Sequence, residues 1–93
     1  MWDIVRDEDA EQRAAEHGLT PWDVEAAVYG RRIIRQIRAH RVIVFGQAPN
    51  GRLLAIALEL STAHDEWTLG AIADMTPWQE EMWRREAVPG PWS

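Results

Sequence analysis

The sequence predicts an α+β domain. Two N-terminal helices precede an antiparallel β-meander of three to four strands, a C-terminal helix follows it, and the helices pack on one face of the sheet. Three observations predict it. The first third holds two segments of helical composition, each with its own start or stop signal. Apolar runs separated by turn residues fill the middle, from Arg31 to Ala73. A Thr-Pro-Trp helix start then reappears at Thr76.

In chain order, Trp2 to Val5 alternates apolar with polar residues and reads as a short edge strand. Asp7 to His17 is helical, with Asp7, Glu8 and Asp9 at the end where the helix dipole favours negative charge. Gly18 follows in the left-handed cap position. Thr20-Pro21-Trp22-Asp23 starts a second helix: Thr20 caps the free N–H groups and Pro21 sits where a missing donor costs nothing. Val24, Ala27 and Val28 recur at helical spacing until Gly30 stops the helix.

Strands are predicted over Arg31–Arg38, Arg41–Gln47, Arg52–Leu60 and Trp67–Ala73. Ala48-Pro49-Asn50-Gly51 joins the second and third, since Asn-Gly readily takes positive φ. Leu54, Ile56, Leu58 and Leu60 share one face of the third strand, and small Ala55 and Ala57 lie on the other, where helices can approach closely. Thr62 to Glu66 is a polar loop. Thr76 opens the last helix, Pro77–Ala87, with Gln79 completing a capping box and Trp78 and Met82 on one face. Residues 1–88 form one domain, and 89–93 form a tail that is mobile unless Trp92 docks.

Ninety-three residues suffice for one core. No apolar run approaches the ~20 residues needed to span a bilayer. The polar start predicts no secretory leader, hence a cytoplasmic protein. The absence of cysteine removes disulfides, thiol nucleophiles and thiolate metal sites.

Charge is unevenly distributed. Tyr29 to Leu58 contains no acidic residue but six of the ten arginines: Arg31, Arg32, Arg35, Arg38, Arg41 and Arg52. Lysine is absent, and the chain carries −5 overall, so the remainder sums to −11. A sheet bearing a row of guanidinium groups suits phosphate, because the planar fork donates two hydrogen bonds at once. Arg35, Arg38, Arg41 and Arg52 are the expected RNA contacts. Arginines also solubilise strand edges or balance an acidic partner.

The three histidines lie far apart with no i,i+4 pair, Ser61 and Ser93 sit in no nucleophile elbow, and no glycine-rich phosphate loop exists. Neither metal nor cofactor is predicted. Metal-independent RNA cleavage remains. It needs a base for the 2′-hydroxyl proton, a cation for the phosphorane and an acid for the leaving oxygen. Arg52 and Arg84 are the expected catalytic cations. His17 or His40 offers a suitable base, with His17 favoured; Glu80 and Glu81 are further carboxylate bases. Each has a structural use too: His17 can end the first helix, and the glutamates suit the first turn of the last.

Glu16-His17-Gly18-Leu19-Thr20 ahead of a second helix, Val42-Ile43-Val44-Phe45-Gly46 and Gly51-Arg52-Leu53-Leu54, and the closing Ala73-Asp74-Met75-Thr76 with Glu80, Glu81, Arg84 and Arg85 together resemble the BrnT family of toxins. The resemblance covers nearly the whole chain in the right order. It implies a RelE-like fold and a small ribonuclease of a type II toxin–antitoxin system. It also implies a cognate ribbon-helix-helix antitoxin, and it leaves a homodimer and a heterotetramer with that antitoxin both open. Asp74 stands where the family commonly has arginine, and Asp9 where it commonly has lysine. These departures motivate the alternative of a BrnT-like protein without catalysis that acts as a protein-binding module.

Overall fold

The computed structural model describes residues 4–61 and 66–92. The elements are α1 (Glu8–Glu16), α2 (Pro21–Tyr29), β1 (Arg32–Arg38), β2 (Arg41–Gln47), β3 (Leu53–Ser61), β4 (Glu66–Asp74) and α3 (Pro77–Glu86). The strands form one antiparallel sheet in the order β1-β2-β3-β4, so the α+β meander is as predicted.

Local chemistry explains the boundaries. The Asp7 carboxylate accepts from the Ala10 N–H, and Gly18 leaves α1 at φ +71°. Thr20 and Thr76 each cap a helix whose first turn begins with proline, and both close a reciprocal capping box, with Asp23 and Gln79. Gly51, at φ +93°, closes the turn between β2 and β3; its N–H donates to the Ala48 carbonyl at 2.9 Å.

The expectation of helices on one face is corrected. α1 and α2 cover one face, where Val24, Val28, Val44, Leu54, Ile56 and Leu58 are almost wholly buried. α3 covers the other, where Met82 and Trp83 meet Ile33, Phe45 and Ala55. The small face of β3 does admit a helix, and that helix is α3. Full burial of such side chains stabilises by about 1.5–3 kcal/mol each.

On α3, Trp78 is 68% exposed, whereas Met82 and Trp83 are buried. Two further expectations change. The short first strand reduces to one parallel bridge between Ile4 and Trp67; residues 1–3 lie outside the described residues. The predicted loop at 62–66 falls mostly on residues 62–65, also outside them, and Glu66 already belongs to β4.

The C-terminal segment is held. Val88 and Arg32 exchange backbone hydrogen bonds of 2.9 and 3.0 Å, and the Trp92 N–H donates to the Tyr29 carbonyl at 2.8 Å. The Trp92 ring lies 5.2 Å from that of Trp22 and 4.8 Å from that of Tyr29. The condition set for the tail, that Trp92 docks, is met.

Gly46 is where α2 touches the sheet. A Cβ there would lie 2.1 Å from the Ala27 carbonyl oxygen, so helix and strand would have to separate. Gly46→Ala is expected to cost about 1–3 kcal/mol. Thermal melting should show the midpoint falling by roughly 4–8 °C for each kcal/mol of destabilisation.

Candidate functional site

The six arginines of the acid-free stretch divide into two sets of three. The first set closes helix ends. A helix leaves its last carbonyls without partners, and cations there also meet the negative end of the dipole. The Arg52 guanidinium donates to the carbonyl of His17, the C-cap of α1. Arg32 donates to the Val28 carbonyl in the last turn of α2 at 2.8 Å. Arg31 donates to the carbonyls of Arg84 and Ala87 at the end of α3, at 2.9 and 3.3 Å, and lies over the Trp83 ring at 4.8 Å. Partial burial holds Arg32 below the ordinary arginine value, with the neighbouring Tyr29 opposing that shift.

The second set, Arg35, Arg38 and Arg41, lies toward the β1–β2 turn. Arg38 and Arg41 are cross-strand partners on either side of Ala39 and His40, and Arg35 is opposite Ile43. Arg41 pairs with Glu59 at 3.1 Å and Arg35 with Glu86 at 3.5 Å. Among the described residues, Arg38 makes neither an ion pair nor a side-chain hydrogen bond. Arg38, Ala39, His40, Arg41, Glu59 and Leu60 line an open cavity of about 260 Å3. Its base is fixed by the Leu60 N–H donating to the His40 carbonyl at 2.8 Å.

The expected site residues therefore do not form one group. His17 and Arg52 meet at the end of α1. There His17 caps the helix through its own N–H, and Arg52 is further engaged by Asp74 at 3.1 Å. Arg41 sits at the opposite end of the β2–β3 ladder: Gln47 is opposite Leu53, next to Arg52, and lies six residues from Arg41. At 3.3–3.4 Å per residue the separation is about 20 Å. Arg84 lies on α3, exposed and paired with Glu80 at 3.5 Å, one turn away. The described residues bring together Arg38 and Arg41 of the expected RNA contacts, with Arg35 close by.

His40 joins that group in place of His17, and Glu59 is a member that sequence reasoning did not name. Two guanidinium groups, an imidazole and a carboxylate around one cavity are the parts that in-line RNA cleavage by acid–base catalysis requires. His64 and Asp65 lie outside the described residues. Among the described residues no cluster of three or more histidine, aspartate or glutamate side chains is arranged to hold a metal. No helix among them is long and apolar enough to cross a membrane.

No family model, no curated protein and no solved structure matches this chain.

Arg52 links the end of α1 to the end of β4 through the His17 carbonyl and Asp74. The exposed ion pair adds at most about 1 kcal/mol, and the bond to a helix carbonyl a similar amount. Arg52→Ala is expected to lower unfolding free energy by about 1–2 kcal/mol in urea titration. Arg38→Ala, which breaks no bond, should leave it within about 0.5 kcal/mol.

Proposed function

We propose that this protein is a metal-independent endoribonuclease of the BrnT toxin kind, and that RNA is bound and cut at the β1–β2 end of the sheet. The observation that carries the reading is the cavity between Arg38, His40, Arg41 and Glu59. Arg38 and Arg41 supply charge for the scissile phosphate and its phosphorane. His40 and Glu59 supply the proton acceptor and donor. Arg35 extends the cationic surface along β1 for the next phosphate. In keeping with the family resemblance, the activity is that of a toxin, neutralised by a cognate ribbon-helix-helix antitoxin.

The ion pairs of Arg35 and Arg41 do not forbid this. Both pairs are exposed, and such pairs contribute about 0–1 kcal/mol, so a phosphate oxygen can displace a carboxylate at small cost. They do favour a second reading, in which the cleft binds without cutting. Asp74 likewise neutralises Arg52, one of the cations first expected to take part in catalysis.

Purified protein incubated with single-stranded RNA in EDTA should cleave it. His40→Ala or Glu59→Gln should slow cleavage by about 10²–10⁴-fold, the usual contribution of general acid–base groups. Binding should weaken with salt, and Arg38→Ala with Arg41→Ala should flatten the slope of log K against log salt by about 1.4, or 0.7 for each phosphate no longer neutralised. Binding without cleavage selects the second reading. Activity abolished by Arg52→Ala but kept in the β1–β2 variants moves the site to the α1 end, against this proposal.

A further inference from the structure

We propose that the free outer edge of β1 is a docking site for an extended, acidic segment of a partner polypeptide, which adds to the sheet as a fifth strand. The inference rests on backbone groups and does not depend on RNA binding.

The two edges of the sheet are treated differently. At β4 two outward carbonyls are in use: Trp67 accepts from the Val5 N–H at 2.9 Å, and Gly70 from the Arg13 guanidinium at 2.8 Å. At β1 the chain's own C-terminal segment covers one position only. Arg32 exchanges both backbone bonds with Val88 in antiparallel geometry, and toward Ile34 the segment turns at Ala87 into the end of α3, which ends the pairing. Alternation along the strand then turns the backbone groups of Ile34 and Gln36 outward as well. Among the described residues they meet no backbone partner. Beyond Val88 the edge borders a cavity of about 350 Å3, lined by Ile33, Ile34, Arg35, Glu86, Val88 and Pro89 among others.

Charge selects the occupant. β1 reads Arg-Ile-Ile-Arg-Gln-Ile-Arg, with three cations and no acid. Two copies of β1 paired edge to edge would set guanidinium groups against one another, and like charges across a ladder destabilise it. A strand with acidic side chains on the Arg35 face meets the opposite situation. The chain already supplies a fragment of such a ligand: Glu86-Ala87-Val88 runs beside β1, with Glu86 paired to Arg35 at 3.5 Å and Val88 making the backbone bonds. On the other face Ile34 is partly buried against the α1–α2 core and offers an apolar neighbour to alternate positions. Backbone bonds supply affinity and alternating side chains supply specificity, as in strand addition generally.

The probe is a blocked ten-residue peptide alternating glutamate and valine, added to the full-length protein labelled with 15N. Binding should slow hydrogen exchange at the Ile34 and Gln36 amides. Methylating the peptide's alternate backbone nitrogens, which leaves every side chain in place, should weaken binding at least tenfold. Replacing its glutamates by lysines should do the same, and Arg35→Glu should reverse that preference. Four results overturn the proposal: no binding at millimolar peptide, equal binding of the N-methylated peptide, equal binding of the lysine peptide, or concentration-dependent protection of these amides without peptide. The last would mean that a second copy occupies the edge.

Discussion

Every helix in this protein ends against an arginine that the helix itself does not contain. α1 runs into Arg52, α2 into Arg32 and α3 into Arg31, and in each case a guanidinium takes up carbonyl oxygen that the helix leaves over. Helices of nine or ten residues are marginal alone and rely on docking for most of their stability. Arginine performs both tasks at once: it satisfies the carbonyl and ties the helix end to the strand or turn that carries the side chain. With no lysine in the chain, the planar fork is used throughout, and its several donors let Arg31 and Arg52 each serve two partners.

What remains of the cationic stretch follows from the size of α3. Ten residues rise about 15 Å, too little to cover strands of seven to nine residues on their α3 face. α3 seals the part around Ile33, Phe45 and Ala55 and leaves the β1–β2 turn open. The open part holds Arg38, His40, Arg41 and Glu59, and it is there that a ligand can reach polar groups without displacing core. The same incomplete cover leaves β1 with a bare edge past Val88. Cleft and edge are thus two consequences of where a short final helix ends.

Much of this is legible in the sequence, and the reasons are specific. β2 has its predicted ends, and the Ala48-Pro49-Asn50-Gly51 turn fixes the second of them. Thr20 and Thr76 mark their helices because capping chemistry is local. The sidedness of the helices is not legible, since alternation in β3 reports two faces but not which helix meets which. Trp78 and Trp83 illustrate this: both are large, and only the sheet beneath decides which is buried. The division of the arginines is also hidden, although Arg32 follows soon after the Gly30 stop, where the α2 carbonyls await donors. Glu59 is within reach. The turn at 48–51 sets Gln47 opposite Leu53, and counting six residues along each strand brings Arg41 opposite Glu59. The family resemblance points to the motif around His17, whereas the cavity collects His40, the histidine that the sequence ranks second.

The division into three anchoring and three available arginines is the claim on which the rest stands. It is read most directly from NMR of the arginine side chains, through rotation about the Nε–Cζ bond and solvent exchange of the guanidinium protons. Arg31, Arg32 and Arg52 should show hindered rotation and slow exchange, while Arg38 rotates freely and exchanges fast, with Arg35 and Arg41 between. Equal mobility of all six, or an Arg38 as firmly held as Arg32, would contradict the account.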